Sequence, residues 1–291
     1  MSVAFFRTQL RRLQALAGEE PISLERREQE LVGALLQWGQ HGSVRFEEIE
    51  FSDFRAAMAW PAESKGDGIL LYLHGGGYVC GDLRYAKGFG SVLCRETGLA
   101  VFCPAYRLAP EHPFPAALED AVTAYRHLLA EFPAEKIVLA GESAGGGLLL
   151  ALCIRAKALG LPQPAGLICI SPWTDLTASG PSYVENKDVD PSMTLPRLQR
   201  YAACYSSDLR NPLVSPLFGD LTGLPESLIF VGGDEIMLSD AVLLRDALER
   251  AGCRSSLTVA PDLWHGYVLY GLKERRMDMD AICDFAWRVT A

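Results

Sequence analysis

The chain of 291 residues lacks several features that would place it quickly. Its eight cysteines form no CxxC pair, which argues against zinc-ribbon and thioredoxin-like readings. No apolar run approaches the roughly 20 residues needed to span a bilayer. The start, MSVAFFRTQLRRLQAL, is broken by Arg7, Arg11 and Arg12, so no secretory signal is expected there. There is no internal repeat and no low-complexity stretch. Basic residues are outnumbered, 27 Lys and Arg against 36 Asp and Glu, for a net charge of −9. Nucleic acid and anionic lipid attract basic surfaces, so neither is an expected partner. Only five histidines are present, which keeps the search for a general base short.

What is present is ordinary globular material, 49% hydrophobic and 22% charged. Cysteines inside apolar runs, such as Cys169 in Gly166–Ile170, behave as small hydrophobes. That usage predicts reduced thiols and a cytoplasmic location. Near the N-terminus, Phe5, Leu10, Leu13 and Leu16 recur at helical spacing. A second helix is expected after Pro21, with Ser23 as N-cap and Leu31, Leu35 and Leu36 on its apolar face.

Val44 to Trp60 holds two extended segments. Beyond them, apolar strands alternate with helices. The expected strands are Ile69–Leu73, Leu99–Cys103, Lys136–Ala140, Leu167–Ile170, Ser227–Val231 and Ser256–Ala260. Continuous Val, Ile and Leu runs mark strands buried on both faces, the pattern of a parallel sheet covered by helices. Ligands bind at the carboxyl ends of such strands. One excursion, between Ile170 and Ser227, is too long for a simple connection. Its central part, 180–210, is expected to form a lid with the N-terminal helices.

Chemistry-bearing residues sit at four strand ends. Lys136–Ala140 runs into Gly141-Glu142-Ser143-Ala144-Gly145, a G-x-S-x-G turn that leads into a helix and exposes the serine hydroxyl. Ile69–Leu73 ends in His74-Gly75-Gly76-Gly77, whose backbone N–H groups can turn toward an oxyanion. Ser227–Val231 ends in Gly232-Gly233-Asp234-Glu235, and Ser256–Ala260 is followed by Trp264-His265. The chain order Ser143, Asp234, His265 is that of a nucleophile, acid and base on this kind of sheet. Asp240 and Asp262 compete for the acid role, but Asp234 terminates its strand directly. His41, His127 and His112 lie away from strand ends, and His74 is better placed to brace the glycine loop. Cys80 is the thiol whose modification would most plausibly reach activity.

These motifs are HGGGY at 74–78, YRLAPEHPFPAALED at 106–120, GESAGGG at 141–147, SPWTDLT at 171–177, GGDE at 232–235 and WHGY at 264–267. With them the chain resembles the hormone-sensitive-lipase-like group of α/β-hydrolases, and its bacterial esterases in particular. The resemblance implies an α/β-hydrolase fold: a mostly parallel eight-stranded sheet with a helical cap from 1–44 and 180–210 on a catalytic domain of 45–179 and 211–291. It implies a serine carboxylesterase for short- to medium-chain acyl esters, needing no cofactor or metal. Amide, lactone or formyl substrates fit the same triad, and a non-catalytic binding protein is disfavoured by the complete triad. It further implies oxyanion donors at Gly76, Gly77 and Ala144, and a homodimer formed at the edge beside the last strand. Tyr78, Glu142, Trp264, Tyr183, Met193 and Tyr205 are the candidate substrate-contacting residues. Two positions depart from the group: Glu142 stands where Asp often precedes the nucleophile, and Gly147 where many members have Asn.

Overall fold

The computed structural model describes residues 3–16, 21–40 and 42–291. His41 and the side chains of Leu13 and Leu16 lie outside the described residues. Eight strands form one sheet: β1 (Val44–Glu50), β2 (Arg55–Pro61), β3 (Ile69–Leu73), β4 (Ala100–Ala105), β5 (Ile137–Glu142), β6 (Gly166–Ile170), β7 (Ser227–Gly232) and β8 (Ser255–Ala260). Their spatial order is β1-β2-β4-β3-β5-β6-β7-β8. β1 and β2 pair antiparallel, as do β2 and β4, and every later pairing is parallel.

Strands β3, β5, β6 and β7 are buried along their whole length, as their continuous apolar sequences require. Alternate residues feed two cores. In β3, Ile69, Leu71 and Leu73 point to one face, and Leu70 and Tyr72 to the other. β1 closes one edge with the charged sequence VRFEEIE, which discourages further pairing there.

The helices are α1 (Val3–Leu16), α2 (Ile22–Gly39), α3 (Leu83–Thr97), α4 (Ala116–Leu129), α5 (Ala144–Ala158), α6 (Ser182–Glu185), α7 (Leu195–Tyr205), α8 (Leu238–Arg250) and α9 (Arg276–Thr290). None of the described helices is long and apolar enough to cross a membrane.

α2 corrects the sequence expectation twice. Pro21, not Ser23, occupies the capping position, with no side-chain cap bond. Leu31 and Leu35 are 66% and 67% exposed, so of the three expected apolar-face residues only Leu36 packs inward. The inward stripe is Glu25, Gln29, Gly33 and Leu36, with Glu25 and Gly33 buried. Backbone approach explains the choice. A Cβ on Gly33 would lie 2.5 Å from the Tyr85 Cα, and one on Gly88 would lie 2.8 Å from the Gly33 Cα. α2 therefore settles on α3 where neither helix has a side chain.

Candidate active site

The turn after β5 holds Ser143 at φ 56°, ψ −123°, a left-handed conformation that costs a non-glycine residue about 1–3 kcal/mol. Neighbouring strands over-determine it. The Ser143 N–H donates to the Ile170 carbonyl at 2.9 Å, and the Ser143 carbonyl accepts from the Trp173 N–H at 2.9 Å. The flanking glycine at 145 is fixed by space: a Cβ there would lie 2.0 Å from the Leu73 carbonyl oxygen. Gly147 is equally constrained, since a Cβ would meet the Trp173 carbonyl oxygen at 2.2 Å. That contact leaves no room for a side chain at 147 as the backbone stands here. Ala144 opens α5, so its N–H is among the helix's first-turn donors with no intrahelical partner.

The glycine loop after β3 carries Gly76 at φ 109° and Gly77 at φ 61°. Glu142 supports this loop from below. It is 3% exposed and accepts hydrogen bonds from the Tyr72 hydroxyl at 2.5 Å, the Gly75 N–H at 2.6 Å and the Tyr85 hydroxyl at 2.9 Å. Burial pushes its carboxyl group up to about 7, with those donors pulling the other way. The departure from Asp is thereby given a task, because the side chain bridges the nucleophile turn to the glycine loop. His74 stacks on Tyr106 at 4.1 Å between ring centroids, and its Nδ1 donates to the Gly75 carbonyl at 2.7 Å. Burial lowers the pKa of His74 to about 4, which suits a neutral brace.

His265 follows β8 and is the histidine that faces the serine's cavity. Its Nδ1 lies 2.9 Å from Glu235 Oε2. Glu235 is fully buried, and its Oε1 accepts the Ser171 hydroxyl at 2.6 Å and the Gly232 N–H at 2.5 Å. Burial pushes the His265 pKa down, but the Glu235 carboxylate outweighs it and the net direction is up.

Here the structure departs from the expected acid. No hydrogen bond or ion pair joins Asp234 to His265; its Oδ2 pairs with Arg7 of α1 at 2.6 Å, and its side chain is 22% exposed. Consecutive residues of the turn after β7 point in different directions, and Glu235 is the one turned inward. Asp240 is also excluded, because its buried carboxylate accepts the Thr174 N–H at 2.8 Å, the Asp175 N–H at 2.9 Å and the Tyr183 hydroxyl at 3.0 Å. Asp262 offers its backbone carbonyl to Arg7.

Ser143, His265, Gly76, Gly77 and Glu142 share one wall of a cavity of about 240 Å³. Leu10 of α1, Gln29 of α2, Met193, and Arg197 and Tyr201 of α7 complete its lining. Of the candidate substrate-contacting residues, Met193 and Glu142 line this space. Four do not. Tyr78 and Tyr205 are buried and stacked on each other at 3.8 Å. Tyr183 is held by Asp240. Trp264 is buried beside Phe6 and Tyr270, at 6.4 and 5.4 Å. Tyr201 was missed, although it lies one helical turn before Tyr205 on α7. A Cβ on Gly77 would come within 2.2 Å of its ring, so Tyr201 sits directly over the glycine loop.

A mostly parallel sheet, a strained serine at the end of its central strand and a histidine–carboxylate pair beyond its last strands define a class. Residues 70–269 match the model of the alpha/beta hydrolase fold family, and the chain belongs to that family, in its hormone-sensitive-lipase-like esterase group. An acetyl-hydrolase of Streptomyces hygroscopicus is 42% identical over 215 residues, 72% of each chain. An esterase of Acinetobacter venetianus is 32% identical over 253 residues, 85% of this chain and 83% of its own. The crystal structure of an esterase from the bacterial hormone-sensitive lipase family superposes with a TM-score of 0.90 at 35% identity, covering 98% of this chain and 97% of that one.

Proposed function

We propose that this carboxylic-ester hydrolase cleaves short-chain acyl esters through a triad of Ser143, His265 and Glu235. The observation that carries the reading is the buried Glu235 carboxylate on His265 Nδ1, across the same cavity wall as the strained Ser143. With Nδ1 committed to Glu235, Nε2 is the ring nitrogen free to take the serine proton.

Ser143 Oγ attacks the ester carbonyl as His265 accepts its proton. The tetrahedral oxyanion is held by the N–H groups of Gly76, Gly77 and Ala144. Collapse expels the alcohol, which receives that proton from His265, and leaves Ser143 acylated. Water, deprotonated by His265, then attacks the acyl group and releases the carboxylic acid, restoring the serine hydroxyl. The modest cavity supports short acyl groups, as does the name acetyl-hydrolase on the Streptomyces relative.

In this reading α1, α2 and the segment 180–210 form a cap over the site. Seven of the eight thiols are buried in apolar packing, which fits a reducing cytoplasm. A homodimer joined along the free edge at β8 belongs to the same proposal, and sedimentation of the intact protein tests it. The activity is tested with p-nitrophenyl esters of increasing acyl length. Turnover should peak at short chains and vanish in Ser143→Ala. A folded Ser143→Ala protein with full activity would overturn the assignment.

A further inference from the structure

Glu235 is held by more than its histidine. Ser171, at the end of β6, donates its hydroxyl to Glu235 Oε1 and accepts the Gly266 N–H at 3.0 Å, so one side chain spans the acid and the residue after the base. Two further grips come from the inserted segment. Asn186, just past α6, donates its side-chain amide to the Gly233 carbonyl at 3.1 Å and to the Glu235 carbonyl at 2.8 Å. Asp190 accepts the Ile236 N–H at 2.9 Å through Oδ2. Its Oδ1 meanwhile organises the following turn, accepting the Ser192 N–H at 2.8 Å and hydroxyl at 2.7 Å and the Met193 N–H at 3.1 Å. The backbone of the acid-bearing turn is thus fixed on both sides of Glu235 by residues outside the sheet.

The clamp is itself anchored. The Ser182 N–H donates to the Ser239 hydroxyl at 2.9 Å, the Ser239 N–H donates to the Ser182 hydroxyl at 2.8 Å, and the Ser182 hydroxyl donates to the Ile236 carbonyl at 2.7 Å. α6 is therefore tied to α8 before Asn186 reaches across. Asn186 and Asp190 do not line the cavity, while Ser192 and Met193 do. One short segment both walls the substrate space and holds the acid.

We propose that Asn186 and Asp190 are positioning residues for the Glu235–His265 pair, so that the inserted segment sets the alignment of the triad. This rests on the triad reading above. Asn186 is the cleaner of the two to test, because Asp190 also shapes the cavity wall through Met193.

The test is a cycle of Asn186→Ala, Glu235→Gln and the double variant, assayed on p-nitrophenyl acetate, with thermal melting of each. Small misplacements of catalytic groups are costly, so Asn186→Ala should lower kcat about tenfold, with KM within about twofold and a melting temperature lowered by only a few degrees, as the loss of two hydrogen bonds gives. In the Glu235→Gln background the same change should cost nothing more, because the group being positioned is already lost. Asn186→Ser keeps a neutral polar side chain too short to reach either carbonyl, and gives the same reading if the alanine variant folds poorly. Wild-type kcat in the Asn186 variants, alongside an impaired Glu235→Gln, would overturn the positioning role alone. An equal loss in both backgrounds would also overturn it, by marking a merely structural effect. Wild-type kcat in Glu235→Gln would overturn the triad reading, and this proposal with it.

Discussion

The two walls of the cavity are built on different principles. The wall from β3 and β5 is made of backbone: left-handed glycines, a strained serine, and contacts where no Cβ fits. The wall from α1, α2 and α7 is made of side chains, with Glu25 bound to Arg200 at 2.6 Å and Gln14 donating to the Met193 carbonyl at 3.0 Å. The first admits almost no substitution. The second offers exchangeable side chains, apart from the buried Glu25 and the arginines that pair with it. The proposed nucleophile and oxyanion donors sit on the first wall, and the second is the proposed seat of substrate choice.

The contrast should break unevenly under mutation. On the rigid wall, Gly77→Ala forces a side chain into the Tyr201 ring at a left-handed position. It should lower kcat by about 100- to 1000-fold, the usual loss when an oxyanion donor is displaced. Steady-state kinetics with p-nitrophenyl acetate check this. On the adaptable wall, Tyr201→Ala should leave acetate turnover within about tenfold and move the preferred acyl length upward, since space opens over the glycine loop. Rates across the acyl series decide it, and an unchanged optimum would remove Tyr201 from the specificity wall.

The pH dependence follows from His265. The base must be neutral to accept the serine proton, and its pKa is raised above the ordinary 6.5 because the Glu235 carboxylate outweighs burial. Activity is therefore lost as pH falls through that raised value, and the acid limb of the kcat/KM profile should lie above 6.5. The smallest effect concerns Cys80. It lines the cavity, but burial first and the nearby Glu25 second push its thiol up to about 11. Iodoacetamide at pH 7 should scarcely reduce activity over an hour, because little thiolate is present.

The same contrast explains what was legible beforehand. β3, β5, β6 and β7 were readable because burial on both faces demands unbroken apolar runs. The nucleophile turn and glycine loop were readable because their backbone conformations demand glycine. The expected acid and the proposed one are neighbours in the chain: Asp234 and Glu235 are adjacent carboxylates, and only the direction of the turn after β7 brings Glu235 rather than Asp234 to His265. On α2 two of the three leucines that promised a buried face are exposed, because close approach at Gly33 and Gly88 decided which side packs. On α7, Tyr205 and Tyr201 share a helix face, and spacing alone could not say which reaches the cavity.

The most direct measurement compares Glu235→Gln with Asp234→Asn in steady-state turnover of p-nitrophenyl acetate, both proteins folded by thermal melting. The triad described above predicts that Glu235→Gln loses on the order of 10⁴-fold in kcat, as when a histidine loses its orienting acid, while Asp234→Asn stays within about threefold because only an ion pair to Arg7, away from His265, is altered. The reverse pattern, with Asp234→Asn inactive and Glu235→Gln near wild type, would contradict it.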